Sequence, residues 1–166
     1  MAVVYKARQL SMDRVVAVKV LNETYNSDRD FIERFVREAQ LVGRLSHSNV
    51  IHILDIGESD RVHYYSMEFV DGMSLKRLLR QKGRIGTDRA LDIALQAAKA
   101  LEYAHESDVI HRDVKPANLM LAHDGTVKVA DLGIAKNFED SASASGIRGT
   151  PHYLSLIHIS EPTRPY

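Results

Sequence analysis

The sequence predicts an α+β fold in which a β-rich first part with one helix precedes a mainly helical second part. Three observations carry this expectation. Short runs of β-branched residues, separated by turn residues, cluster before residue 71. In their midst residues 28–46 place apolar side chains at spacings of three and four, the period of an amphipathic helix. After residue 71 two helix-patterned stretches follow, and then one short strand pair.

Composition narrows the function classes. A chain of 166 residues fits one domain, and 45% hydrophobic residues suffice for a core. The 22 basic and 22 acidic residues cancel, which gives no support for nucleic acid or an anionic membrane as the main partner. With no cysteine there is no disulfide, thiolate chemistry or Cys-based zinc site. No apolar run approaches ~18 residues, so no membrane segment is expected in this chain. Met1 leads straight into strand-like sequence, so no signal peptide is expected. His47, His52, His63, His105 and His123 are scattered without metal-ligand spacing and read as structural or surface residues.

Residues 2–7 and 15–21 predict an antiparallel pair separated by Ser11-Met12-Asp13-Arg14. Alternation in the second strand puts Lys19 on one face with Ala17 and Leu21, an apolar setting for a cation. A lone lysine of this kind is more often one whose head group reaches solvent from a strand edge. The helix over 28–46 carries Phe31, Ile32, Phe35, Val36, Ala39, Val42 and Leu45 on its apolar side, with Asp28 or Asp30 as its cap. Glu38 lies beside that stripe, and an acid there wants a cation. Residues 50–56 and 61–70 predict two further strands. Ser74 caps a short helix through Arg80, stopped near Gly83. A longer helix over 88–105 buries Ala90, Ile93, Ala94, Ala97, Leu101 and Ala104. Two apolar runs, 119–121 and 127–129, flank His123-Asp124-Gly125, a hairpin signal that would bring Asn118 and Asp131 to its two sides.

The densest chemistry lies in His111-Arg112-Asp113-Val114-Lys115-Pro116-Ala117-Asn118, with Asp131-Leu132-Gly133 following 18 residues after Asp113. One loop thus crowds a base, a cation and a metal ligand, the set that phosphoryl transfer needs. H-R-D alone would be a weak signal; the full string with the later D-x-G is specific. The sequence here resembles the eukaryotic-type protein kinases, and within them the bacterial-style Ser/Thr branch. Ala17-Val18-Lys19, the Arg37-Glu38-Ala39 helix, Ser66-Met67-Glu68-Phe69-Val70-Asp71-Gly72 and Gly149-Thr150-Pro151-His152-Tyr153 fit the same family.

That resemblance implies an incomplete two-lobed fold, with a kinase small lobe in 1–70, a partial large lobe through the activation segment in 71–155, and a non-native tail in 156–166. It implies ATP and Mg²⁺ as cofactors and proteins bearing Ser or Thr as substrates. Asp113 would accept or orient the hydroxyl proton, and Lys115 would neutralise the γ-phosphate. Asn118 and Asp131 would hold Mg²⁺. Lys19, oriented by Glu38, would hold the α- and β-phosphates. Val4, Ala17, Met67 and Met120 would border the adenine, with backbone groups of Glu68 and Val70 at its edge. Leu132 stands where the family carries Phe, and would join His111, Val42 and Leu54 in an apolar column. Arg112 suggests regulation by phosphorylation at Ser141, Ser143, Ser145 or Thr150, with Thr150 the more structural of the four.

The family's glycine-rich loop should precede Val4, and Pro-Glu should follow Ser155; neither is found. The chain is therefore expected to be truncated at both ends and weakly active or inactive by itself, while its parent is a kinase. The resemblance further allows self-phosphorylation or a dimer, and a cytoplasmic domain whose parent is membrane-anchored through a C-terminal region. Two rivals are a pseudokinase-like nucleotide-binding or regulatory module and a small-molecule phosphotransferase of related fold. The presence of Lys19, Asp113, Asn118 and Asp131 speaks against the first, and the Lys-Pro-x-Asn continuation with Gly-Thr-x-x-Tyr speaks against the second.

Overall fold

The computed structural model describes residues 2–25 and 28–132. Four strands and an α-helix lie in the first half: β1 (Ala2–Gln9) and β2 (Arg14–Leu21), helix α1 (Arg29–Val42), and β3 (Ile53–Ser59) and β4 (Val62–Glu68). The four strands form an antiparallel sheet in the order β1-β2-β4-β3. The β1–β2 turn is closed by Asp13, whose backbone is left-handed (φ 49°) and whose carboxylate accepts from Arg8 Nε at 2.7 Å. Acidic side chains tolerate that conformation better than most.

Asp28 rather than Asp30 caps α1, accepting the backbone N–H groups of Asp30 (3.0 Å) and Phe31 (3.4 Å). Phe35, Ala39 and Val42 are buried by the helix, and Phe35 and Ala39 join Leu21 and Tyr65 in a cluster between α1 and the sheet. The helix stops at Val42, short of the residue 46 expected from its periodicity. Gly43 donates to the Ala39 carbonyl and Leu45 to the Val42 carbonyl, so a turn carries Leu45 into the core from outside the helix.

The strand expected at 50–56 begins only at Ile53, because the preceding residues pair elsewhere. Ile51 N–H donates to the Val129 carbonyl (3.0 Å), and Val129 N–H to the Asn49 carbonyl (2.8 Å). This stretch ties the first sheet to the second half of the chain. Asn49 adds side-chain bonds to Gln96 Oε1 (2.9 Å) and the Val127 carbonyl (2.8 Å). A buried amide with both N–H groups bonded makes the junction specific.

The second half contains strand β5 (Gly72–Ser74), helices α2 (Leu75–Lys82) and α3 (Thr87–Glu106), and strands β6 (Leu119–Ala122) and β7 (Val127–Val129). β5-β6-β7 form a small antiparallel sheet. β5 is too short to read from sequence, and its backbone lies so close to β6 that a Cβ on Gly72 would stand 1.9 Å from the Leu121 carbonyl oxygen. Ser74 Oγ caps α2 through the Arg77 N–H (3.2 Å). Gly83, at φ 72°, ends it two residues beyond Arg80, donating to the Leu79 carbonyl.

The buried stripe of α3 is Ile93, Ala97, Ala100 and Ala104. Ala94, expected inside, is exposed, and Ala90 and Leu101 are half-buried, because Ala100 continues the three-and-four spacing from Ile93 and Ala97. Leu91 and Leu95, one turn apart, are also exposed. The main core joins Val42, Leu45 and Val50 to α3, β6, β7 and Leu132. Leu132 and His111 are almost fully buried. Leu54 is only half-buried; its neighbour Ile53 is the residue packed against both core clusters. Among the described residues no helix is long and apolar enough to cross a membrane.

Candidate active site

Strand register builds the upper wall. β2 pairs Lys19 with Val4 of β1 and with Tyr65 of β4; two residues earlier it pairs Ala17 with Lys6 and Met67. Cross-strand partners and residues two apart share a face, so Val4, Ala17, Lys19, Tyr65 and Met67 line one side of the sheet. Lys6, on the same side, places its Nζ 4.5 Å from the centre of the Phe69 ring.

Lys19 and α1 meet beneath this wall. Lys19 Nζ lies 3.5 Å from Glu38 Oε1 and 2.8 Å from Asp131 Oδ1. Both Lys19 and Glu38 are largely shielded from solvent, whereas Asp131 is about half exposed at its side chain (48%). Burial acts to lower the Lys19 pKa, but Asp131, Tyr65 and Glu38 together outweigh it, and the ammonium is held above its ordinary value. Burial pushes the Glu38 carboxyl up, with Lys19 opposing.

The loop before β6 supplies the second group. Lys115 Nζ contacts Asp113 Oδ2 at 2.5 Å. Asn118 Nδ2 donates to the Asp113 carbonyl (2.9 Å) and reaches its carboxylate (3.4 Å). Arg112 precedes them at φ 58° and Asp131 stands at φ 52°, so two of the residues singled out from sequence occupy the left-handed region. Non-glycine residues held there concentrate at functional sites.

The β6–β7 hairpin brings the two groups together. Ala130 N–H donates to the Asn118 carbonyl (2.8 Å), which fixes the residue before Asp131 beside the loop of Asp113. Met120 sits between Ser74 and Lys128 across the small sheet. Glu68 ends β4, and its N–H is given to the His52 carbonyl (2.9 Å), so only its carbonyl could face an adenine edge. Ser141, Ser143, Ser145 and Thr150 lie outside the described residues.

Two partners escaped the sequence reading. Tyr65 is buried against Glu38 and Lys19, with no motif to flag it. Lys128 of β7 reaches Glu68 Oε1 at 2.8 Å, and the same oxygen accepts the His52 N–H at 2.7 Å. This pin joins β4, the start of β3 and the second sheet. An alternating Val-Lys-Val strand signals only that the lysine faces away from its neighbours.

A family model described as "Protein kinase domain" matches residues 1–161. The chain belongs to the protein kinase family. The match reaches past residue 155, into the segment read from sequence as a tail. This kinase chain is 42% identical over 157 residues to a probable serine/threonine-protein kinase of Clostridium perfringens, covering 93% of this chain and 23% of that protein. It is 41% identical over 157 residues to the serine/threonine-protein kinase PrkC of Bacillus subtilis (93% and 24%). It is 39% identical over 163 residues to PknB of Mycobacterium tuberculosis (93% and 26%). Among solved structures, the PknI kinase domain of Mycobacterium tuberculosis superposes with a TM-score of 0.68 at 32% identity, covering 82% of this chain and 56% of that one. The kinase fold expected from sequence is therefore present, as its small lobe and the first part of its large lobe. The chain spans about a quarter of the length of the curated relatives it matches.

Proposed function

We propose that the protein carrying this domain is an ATP-dependent protein serine/threonine kinase. The observation that carries the reading is the convergence of Lys19, Glu38 and Asp131 within one ion-paired cluster, with the Asp113-Lys115-Asn118 loop tied to it through Ala130. The names of the relatives support the same reaction class.

In this reading Asp113 orients the attacking Ser or Thr hydroxyl and takes its proton as the oxygen bonds to the γ-phosphorus. The bond from that phosphorus to the β-phosphate oxygen breaks, and ADP leaves. Lys115, now against Asp113, swings to the transferred phosphoryl group and offsets its charge. Lys19 holds the α- and β-phosphates, and Glu38 keeps the ammonium aimed. Val4, Ala17, Met67 and Met120 border the adenine, with the Glu68 carbonyl and the Val70 backbone at its edge. Asn118 and Asp131 offer an amide oxygen and a carboxylate oxygen. Such hard oxygen donors would suit a cation that completes its shell with phosphate oxygens and water, as Mg²⁺ does. When bound, that ion neutralises phosphate charge. The protein's own contribution is positioning and preorganised charge.

Regulation in this reading runs through Arg112 and a phosphate on Ser141, Ser143 or Ser145, with Thr150 the less favoured acceptor. Self-phosphorylation or a dimer would deliver that phosphate. The kinase domain works in the cytoplasm, where ATP is available, with a membrane anchor elsewhere in the parent.

The test is phosphoryl transfer by the purified full-length protein, given MgATP and a protein substrate, read as phosphoserine or phosphothreonine. Absence of transfer overturns the reading, and transfer confined to small hydroxylated molecules replaces it with the phosphotransferase alternative. The 166-residue chain alone is expected to be a poor catalyst. Among the described residues Leu91 and Leu95 of α3 are exposed, an apolar surface left to water. Robust transfer by that chain would contradict this.

A further inference from the structure

We infer that Tyr65 is a positioning residue for the nucleotide, acting through Glu38 and Lys19. Tyr65 stands directly across the β2–β4 ladder from Lys19. Only 3% of it is exposed. Its ring packs on Phe35 of α1 with centroids 5.0 Å apart, and Lys19 Nζ lies 5.4 Å from the ring centre. Phe35 is one turn before Glu38 on the same helix, so the ring locks the segment that carries the glutamate. The ring thus stands beside Lys19 as well as α1, and the phenol interacts electrostatically with both Lys19 and Glu38.

Packing alone does not require that hydroxyl. A position this deep, flanked by Phe35, Ala39 and Leu21, would be filled as well by phenylalanine or isoleucine. A buried phenol needs a partner for its O–H, and the ion pair that the nucleotide reading depends on lies beside it. Asp131 now makes the shorter contact to Lys19. When Asp131 turns to a cation, Lys19 loses that contact. The Tyr65 hydroxyl and Glu38 then remain to keep the ammonium directed toward the phosphates.

This role rests on the kinase reading for its meaning, but not for its test. MgATP is titrated by calorimetry into the full-length protein and its Y65F variant, alongside E38Q and the double variant. Y65F keeps the ring against Phe35 and removes one oxygen. We expect a loss of MgATP affinity of roughly tenfold to a hundredfold, the scale of one hydrogen bond to a charged group. The melting temperature without nucleotide should fall by only a few degrees, because the ring stays in place. In the E38Q background the same change should have little further effect, because the two residues act as a unit. Parental affinity in Y65F overturns the inference. So does an undiminished Y65F effect in the E38Q background, which would mean the hydroxyl does not act through Glu38. Failure of the kinase reading shows separately, as absence of phosphoryl transfer by the unsubstituted protein, while the affinities still decide the role of Tyr65.

Discussion

Lys19 Nζ lies 2.8 Å from Asp131 Oδ1, a contact between residues 112 positions apart that is shorter than the 3.5 Å from Lys19 to Glu38. The lysine therefore anchors the residue after β7 as well as the phosphates it is proposed to hold, and a cation must compete with it for Asp131. Replacing Lys19 by Met in the full-length kinase should cut turnover at least ~100-fold, as loss of a preorganised charge in a shielded site does. Asp131→Asn should raise the Mg²⁺ concentration needed for half-maximal rate. Steady-state rates over a Mg²⁺ series check both; parental rates in either variant refute the role given to that residue.

Asp113→Asn preserves shape and the loop's hydrogen-bond capacity but removes the proton acceptor. The expected loss in kcat is on the order of 10²–10⁴, the span of general base catalysis. MgATP affinity should change little, since Lys19 and Asp131 are untouched. A variant with parental kcat would rule Asp113 out as the base.

His111 makes stability pH-dependent in a defined direction. Burial lowers its pKa below the ordinary 6.5, with Asp113 and Asp131 pulling the other way. A folded-state pKa below the unfolded one means the unfolded chain binds the proton first. The stability contribution is full above about pH 6.5 and is lost as pH falls through the lower folded value. Denaturant midpoints between pH 7.5 and roughly pH 5 should fall for the parent, and less steeply for His111→Phe. Equal slopes would mean that other groups carry the acid sensitivity.

Lys128→Met should leave the Glu68 carboxylate partly buried with only the His52 N–H as a named partner. The expected cost is about 1 kcal/mol, reduced from a fully buried pair by residual solvent. Thermal denaturation measures it, and Glu68→Gln in the same background should recover part of the loss.

Gly72→Ala would drive a methyl group into the Leu121 carbonyl. Relief requires β5 to move off β6, at a cost of about 1–3 kcal/mol. A melting temperature unchanged by this substitution would show that the β5–β6 contact is looser than the structure has it.

Much of the kinase was legible in one dimension because its signals are local. Periodicity located α1 and α3, Ser74 and Gly83 bounded α2, and Asp124-Gly125 marked the β6–β7 hairpin. The lysine, aspartates and asparagine of the proposed site announced themselves by spacing within short motifs. Local signals failed where a residue's fate depends on a distant partner. The helical period runs on through Leu45, yet α1 ends at Val42 because the following turn is needed to insert Leu45 into the core. Residues 49–51 look like the start of a strand but are taken up by β7. Ala94 fits the apolar face of α3 on spacing and lies outside all the same.

By itself, then, the sequence determined the order of the elements other than β5, the family and the chemical groups available. Those depend on side-chain type and on separations of a few residues. The tertiary structure alone decided which charges meet. Lys19 contacts Asp131 more closely than Glu38, Tyr65 joins their cluster, and Lys128 pins Glu68. Each of these pairings closes a long loop, and only strand register and core packing select it from the many that composition would permit.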